Sequence, residues 1–202
     1  MGELTTVGTP VIRSDAWEKA SGSATYCDDI KLPGMLFGAL LYSPCAHANI
    51  RHIDTSQAEA LPGVHAVVTG KDYPFRYGSV IKDRPVFAMD KVRFTGEVVA
   101  AVAAEDEETA LAACKLIRVD YEELEPILDP LKAMEDNSRL VHEEFDSYAK
   151  GANTAIPNSN VCYTYRLHKG DVEKGFAEAD LIVEGTYRTP AVQHGYIEPH
   201  IS

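Results

Sequence analysis

Residues 97–104 read E-V-V-A-A-V-A-A, the most apolar strand-like segment of the chain. Strands that are covered on both faces read as nearly continuous apolar runs, so we expect this segment near the centre of a sheet. Asp106 follows at once and can cap a helix, whose apolar face comprises Ala110, Ala113, Cys114 and Ile117. Residues 118–123 then read as a returning strand. A strand, a helix and a strand in direct succession indicate a mixed α and β fold.

The sequence on both sides adds more strands and two more helices. Strands are predicted over 24–30, 36–43, 48–55 and 64–69, and strand mixed with a turn at Met89-Asp90 over 86–94. A short helix is predicted over 57–61 and a polar surface loop over 71–84. Residues 161–167, 171–179 and 181–188 repeat the order strand, helix, strand. The predicted fold class is therefore α+β.

The distribution of these elements predicts one complete domain and the beginning of another. Residues 1–19 have little strand character and are expected to form an extended lead-in. Residues 20–133 hold two complete strand, helix, strand units and form the predicted first domain. Residues 134–160 are rich in Asp, Glu, Asn, Ser and Gly, and are predicted to be a linker. Residues 161–202 then begin a second domain, which is expected to be incomplete.

The charge balance limits the possible partners. The chain carries 31 acidic against 19 basic residues, a formal net charge of −12. Nucleic-acid binding requires a basic face, so we expect no nucleic acid as partner. An acidic surface also repels anionic membranes. The longest apolar run, at 98–104, is far shorter than the ~20 residues that span a bilayer. We therefore expect no membrane contact and a cytoplasmic protein.

The four cysteines lie far apart and contain no Cys-x-x-Cys pair. This spacing supports neither a zinc nor an iron–sulfur site, and four scattered cysteines in a chain of 202 residues do not predict a disulfide framework. Free thiols in a reducing cytosol are the simpler interpretation. Cys45 and His47 share a predicted strand face and could in principle bind a metal together, but two ligands are weak evidence and strand packing accounts for both.

The best candidate for a functional segment is the end segment, residues 193–200, which reads Q-H-G-Y-I-E-P-H. On an extended strand, His194, Tyr196, Glu198 and His200 would project to one side, because side chains alternate with a period of two. Three interpretations remain open: a buried hydrogen-bond network, a position close to a cofactor, and direct metal ligation. Gln193, His194 and Glu198 are the candidate cofactor-binding residues. The sequence assigns no catalytic residue and no metal ligand.

Several runs resemble the large subunit of molybdenum hydroxylases, the family of xanthine dehydrogenase and aldehyde oxidase. Over residues 24–130 they include S-P-C-A-H-A-N-I-R-H-I-D, F-T-G-E-V-V-A-A-V-A-A-E and V-D-Y-E-E-L-E-P-I-L-D-P. This part is similar to the α/β hammerhead domain of the family. The runs G-D-V-E-K-G-F-A-E-A-D, V-E-G-T-Y-R-T-P and H-G-Y-I-E-P-H resemble the start of the molybdopterin-binding domain.

The resemblance implies an enzyme that hydroxylates an aldehyde or a purine-like heterocycle with oxygen taken from water. A molybdopterin-type molybdenum cofactor would accept the electrons, and 2Fe–2S clusters and FAD on partner domains or subunits would carry them onward. The glycine-rich cofactor loops and the glutamate base of the family have no matching position in this sequence. We therefore expect these 202 residues alone to be an inactive scaffold without cofactor.

The expected partners are the remainder of the large subunit, the iron–sulfur and FAD subunits, and the small-molecule substrate. Alone, the chain is expected to fray after about Pro190 or to bury its exposed sheet edge against a second copy. Two other functions are open: a stand-alone hammerhead domain that acts as an adaptor or assembly factor, and a small metallohydrolase centred on His194, Glu198 and His200.

Overall fold

The computed structural model describes residues 7–149 and 156–196. The chain divides into two compact units, one of Gly34–Val172 and one that combines Met1–Pro33 with Glu173–Ser202. Every strand of the described residues lies in the first unit. The longest described helix has ten residues, so no helix in this part of the chain could cross a membrane.

The strands of the first unit form two three-stranded sheets and a two-stranded hairpin, all antiparallel. In chain order they are β1 (Phe37–Tyr42), β2 (Ala48–Asp54), β3 (Val64–Thr69), β4 (Arg76–Tyr77), β5 (Arg84–Pro85), β6 (Lys91–Val92), β7 (Val98–Ala104) and β8 (Arg118–Glu123). The first sheet has the order β1-β7-β3 and the second the order β6-β2-β8, while β4 pairs with β5.

Within residues 7–149 and 156–196, five short α-helices accompany the strands. They are α1 (Ala16–Ser21), α2 (Ser56–Glu59), α3 (Glu107–Leu116), α4 (Pro130–Ala133) and α5 (Val172–Ala177), and 3-10 turns occur at Cys27–Asp29 and Phe145–Ser147. Helix α3 begins where the sequence predicts, because the Asp106 carboxylate accepts a hydrogen bond of 2.7 Å from the Thr109 backbone N–H. Its predicted apolar face is confirmed: Ala110, Ala113 and Cys114 are buried.

Strand β7 occupies the centre of the first sheet, as its apolar sequence predicts. Ala100, Val102 and Ala104 face helix α3 and are almost completely buried in the first hydrophobic core. The pairing of β7 with β1 shifts register opposite Val99, which is fully buried in a second core beside Ala48 of β2. The bulge lets a single strand contribute to both cores.

Three strand predictions are wrong. Within 24–30 the chain forms a 3-10 turn, in which the Asp29 carboxylate accepts a 2.9 Å hydrogen bond from the Tyr26 N–H. Such local bonds from Asp compete with strand pairing. Residues 161–167 and 181–188 belong to no sheet of the described residues. Between them, the predicted helix forms as α5. The predicted loop over 71–84 includes β4 and the first residue of β5.

The segment predicted as a linker contributes to the packing of the first unit. Phe145 and Tyr148 are each only 8 % exposed. Near its end, the Asn160 amide donates to the backbone carbonyls of Ala133 and Arg139 at 2.9 Å and accepts from the Val141 N–H at 2.8 Å. The domain boundaries at 133 and 160 stay a prediction, while the described part of this segment is held in place by buried groups.

Candidate functional site

The structure describes two of the three predicted cofactor-binding residues. Gln193 and His194 are both exposed and lie in the second unit, outside any helix or strand. The imidazole of His194 stacks on the ring of Tyr196, with 5.7 Å between the ring centroids and an interplanar angle of 11°. The two rings thus lie on the same side, as the period of two predicts. Glu198 and His200 lie outside the described residues.

The end segment offers hydrogen-bonding groups, and the described residues give it no metal site. Across residues 7–149 and 156–196, no three His, Cys, Asp or Glu side chains converge as a metal site requires. The amide of Gln193 and the imidazole of His194 can donate to and accept from the oxygen and nitrogen atoms of an organic cofactor. Their chemistry fits contact with a pterin group and does not require that either residue bind the metal.

A group of charged residues, which sequence reasoning missed, lies in the first unit, with its three cations largely buried and its two carboxylates partly exposed. We call Arg76, Lys91, Arg93, Glu143 and Glu144 the charged cluster. Arg93 follows β6, and its side chain is only 5 % exposed. Its Nη2 donates to the Glu144 carboxylate at 3.0 Å and its Nε donates to the Val141 carbonyl at 3.1 Å. One guanidinium therefore satisfies both a side chain and the backbone of the segment around 141–148.

The other members of the charged cluster strengthen the same connection. Arg76 of β4 donates to the same Glu144 oxygen at 3.1 Å, and its guanidinium carbon lies 4.9 Å from the centroid of the Tyr148 ring. The Lys91 ammonium donates to Glu143 at 2.7 Å, and the Lys91 side chain is 11 % exposed. Three cationic side chains, one from β4, one from β6 and one directly after β6, thus form ion pairs with the adjacent carboxylates of Glu143 and Glu144.

Burial changes the acid–base properties of the groups around this cluster. Burial raises the pKa of Glu97, although a hydrogen bond from the Arg93 backbone N–H and the Arg93 charge oppose the shift. The Glu97 carboxylate accepts that N–H at 2.6 Å. Burial also disfavours ionisation of Glu144, yet its hydrogen bonding and the charge of Arg93 outweigh this effect and lower its pKa.

His142 and Tyr148 form the apolar side of this region. The His142 Nδ1 lies 3.0 Å from the Tyr148 hydroxyl, and the two rings meet edge to face. Burial, followed by the positive charge of Arg93, lowers the pKa of His142 to about 4. Burial raises the pKa of Tyr148 to about 12. Both rings are therefore neutral at pH 7, and the arrangement is suited to hold structure rather than to transfer protons.

The sequence carries only a faint signal of this cluster. The basic residues Arg76, Lys91 and Arg93 and the acidic pair Glu143-Glu144 are complementary in charge, but the partners of the Arg93–Glu144 bond are 51 positions apart. Local periodicity carries no information about pairing over such a distance.

A second feature missed by sequence is a cleft of about 290 Å³ beside His47. The His47 Nδ1 lies 3.2 Å from the Glu125 carbonyl oxygen, which can only accept, so Nδ1 carries the proton. Its Nε2 is buried without a partner among the described residues. Cys45 and His47 precede β2 instead of sharing a strand face, and they belong to no metal-binding group in this part of the chain. All four cysteines are free, as predicted.

Comparison with known proteins places these features in a family. Residues 21–125 match the family model described as aldehyde oxidase and xanthine dehydrogenase, a/b hammerhead domain. The chain belongs to this family. Residues 155–202 match the model of the molybdopterin cofactor-binding domain. The predicted α+β class, with a hammerhead domain followed by the start of a molybdopterin-binding domain, is confirmed.

Two relatives of this chain are named as subunits of dehydrogenases. The chain is 41 % identical over 189 residues to one of the subunits of a probable xanthine dehydrogenase from Bacillus subtilis (strain 168), covering 93 % of this chain and 24 % of the relative. It is 34 % identical over 198 residues to the nicotinate dehydrogenase large molybdopterin subunit of Eubacterium barkeri, covering 96 % of this chain and 43 % of that protein.

Solved structures agree with these relatives. The crystal structure of the Cu,Mo-CO dehydrogenase matches with a TM-score of 0.71 at 38 % identity, over 86 % of this chain and 23 % of that chain. Quinoline 2-oxidoreductase from Pseudomonas putida 86 matches with a TM-score of 0.62 at 37 % identity, over 68 % of this chain and 19 % of that one. The present chain thus spans about a quarter or less of these structures.

We predict that Arg93→Met lowers the free energy of unfolding by about 2 kcal/mol, because the Val141 carbonyl loses its buried donor while Glu144, which is 36 % exposed, keeps Arg76 as a partner. The matched control is Arg51→Met, which removes a surface ion pair to Glu122 and should cost less than about 1 kcal/mol. Urea denaturation of both variants beside the wild type measures the difference. Equal losses in the two variants would contradict a stabilising role for the charged cluster.

We also predict a pH dependence that originates at His142. Its pKa is lower in the folded chain than in the unfolded chain, so the unfolded state binds the proton first as pH falls. The contribution is present above pH ~6.5 and is lost as pH falls towards ~4. His142→Asn should flatten the stability curve in this window, whereas His168→Asn at the surface should leave it unchanged. A curve that keeps its wild-type slope in His142→Asn would refute this assignment.

Proposed function

We propose that this chain is the opening part of the large, molybdopterin-binding subunit of a molybdenum hydroxylase. The observation that carries the proposal is the order of the two family matches, hammerhead at 21–125 and molybdopterin cofactor-binding domain at 155–202. The relatives named above support it, because they are named as subunits of dehydrogenases. The intact subunit would hydroxylate an aldehyde or a purine-like heterocycle, with oxygen taken from water.

In this proposal the described residues act as a scaffold and catalysis belongs to other parts of the intact protein. When bound, the molybdenum cofactor supplies two-electron redox chemistry. The charged cluster keeps the segment around 141–148 on the hammerhead and thereby fixes the start of the chain that leads to the second domain. Gln193, His194 and Glu198 lie near the cofactor, where Gln193 and His194 donate or accept hydrogen bonds without binding the metal.

The proposed partners follow from the electron balance. Each hydroxylation releases two electrons, which must leave the cofactor before the next turnover. We propose 2Fe–2S and FAD groups on partner domains or subunits as the carriers, and the cytoplasm as the location. The formal net charge of −12 agrees with small-molecule and protein partners and disfavours nucleic acid.

Two alternatives receive less support. A stand-alone hammerhead adaptor would not need the molybdopterin-domain sequence that follows at 155–202. A small metallohydrolase at His194, Glu198 and His200 requires three converging ligands, and two of these residues lie outside the described part of the chain. The described ligand, His194, stacks on Tyr196 at the surface.

The test of the proposed function is to purify the complete protein from its native host. Molybdenum, iron and flavin are measured per polypeptide, and turnover is measured with xanthine, hypoxanthine and a series of aldehydes in water enriched in ¹⁸O. The proposal expects molybdenum in stoichiometric amount and one labelled oxygen in each product. A complete protein without molybdenum, or product without the label, would overturn it.

A further prediction concerns the end segment. In the complete subunit, His194→Ala and Glu198→Ala should each lower molybdenum content or turnover severalfold, because each change would remove a proposed hydrogen bond near the cofactor and a typical hydrogen bond contributes ~0.5–1.5 kcal/mol. The control is His168→Ala, which removes an exposed imidazole. Bound molybdenum, turnover per molybdenum and melting temperature are measured for all three. Normal molybdenum and turnover with a lower melting temperature would leave a purely structural role for both residues.

A further inference from the structure

The first sheet has one face that its own unit leaves uncovered. Helix α3 packs on the face that carries Ala39, Ala100 and Val102. Alternation along the strands turns the neighbouring residues to the opposite side. Pairing in register places them in two rows across β1, β7 and β3: Gly38, Ala103, Ala66 and Leu40, Ala101, Val68. We call these six residues the open face.

The composition of the open face differs from that of an ordinary surface. None of its six residues is charged or polar, although 25 % of the chain is charged. Leu40 remains 46 % exposed, and Tyr42, which continues the same side of β1, is 54 % exposed. Charged residues are similarly depleted in the buried core of protein interfaces. A sheet face that stays exposed to solvent would instead carry polar residues.

Gly38 gives independent evidence that another segment of backbone packs closely against the open face. It lies in the middle of a strand, where glycine weakens the sheet. A Cβ built at this position would meet its nearest neighbour, the Val102 carbonyl oxygen, only at 4.0 Å, and its φ lies outside the positive range that favours glycine. The fold of this unit therefore does not require glycine here. Glycine in a strand often marks a site where another backbone comes close.

We propose that the open face is the docking surface for a later part of the same large-subunit polypeptide, which packs across the row of Gly38, Ala103 and Ala66. This inference rests on the proposed function. The relatives support the choice of occupant, because the chain covers only 24 % of the Bacillus subtilis protein and 23 % of the CO dehydrogenase chain. The covering element is apolar and uncharged on its contact side, as in a permanent core.

A separate subunit or a second copy fits the face less well. Interfaces between partners that also exist apart keep about as much polar surface as the rest of the protein, whereas permanent interfaces resemble a domain core cut in half. The open face has no ionisable residue in its two rows, so it lacks groups that would keep it soluble before assembly. An element of the same polypeptide would bury this face during folding, so the face would not stay exposed to water.

The experiment places the photo-crosslinking amino acid p-benzoylphenylalanine at position 40 of the complete large subunit. After irradiation, mass spectrometry identifies the peptide that is joined to it. The control places the same amino acid at position 111, where Leu111 on α3 is 50 % exposed. We expect position 40 to crosslink within the same polypeptide to a peptide that follows residue 202, and position 111 to give no such product.

Each other outcome contradicts the proposal. A crosslink from position 40 to an iron–sulfur or FAD subunit, or to a second copy, assigns the face to another occupant. No crosslink at position 40 shows that the face is open in the complete subunit. Molybdenum content and turnover of the wild type are measured on the same preparation, so a failed crosslink in a molybdenum-containing enzyme rejects the surface and leaves the proposed function standing.

A substitution at Gly38 provides a second test, because the melting temperature should change in opposite directions on an exposed face and on a covered one. On a face that stays in water, Gly38→Val should raise the melting temperature, because valine is the better strand residue. Under a closely packed cover, the same change should lower the melting temperature of the complete subunit by about 2–4 °C or more. A higher melting temperature for Gly38→Val would overturn the close approach.

Discussion

The burial of β7 is the constraint on which the rest of the first unit depends. Its buried side chains belong to two cores, with Val102 packed under α3 and Val99 packed beside β2. Because β1 and β3 both pair with β7, the first sheet cannot form without it. The small size of Ala100 and Ala104 lets α3 lie close to the sheet. The strand thus contributes to the packing of both sheets and of the helix that packs on the first.

The charged cluster extends this framework to the segment around 141–148, which also buries the rings of Phe145 and Tyr148. Glu97 lies next to the start of β7, and its carboxylate fixes the backbone at Arg93, whose side chain then bonds to Glu144 and to the Val141 carbonyl. Removing one partner of a largely buried ion pair is costly, because the charge or polar group left behind loses its compensation. The segment is therefore held in one position relative to β6 and β7, as a scaffold leading to a cofactor domain requires.

Local sequence patterns predicted the parts of the fold that local interactions determine. The apolar run of β7 and the Asp106 cap each act within a few residues, and both elements form where expected. The strand predicted over 24–30 does not form, because the Asp29 carboxylate accepts a hydrogen bond from the backbone N–H of Tyr26. The charged cluster and the burial of the His47 Nε2 could not be predicted, since both depend on contacts between distant positions. For the end segment, sequence placed His194 and Tyr196 on one side correctly, while its relation to the cofactor stays a proposal.

Hydrogen–deuterium exchange on the complete subunit tests most directly whether β7 and the charged cluster make one scaffold. The account predicts the slowest exchange of this unit at Val98–Ala104, with slow exchange also at residues 141–148. It further predicts that Arg93→Met accelerates exchange at 141–148 while Val98–Ala104 stays protected. Fast exchange at 141–148 in the wild type, or equal exchange there with and without Arg93, would contradict it.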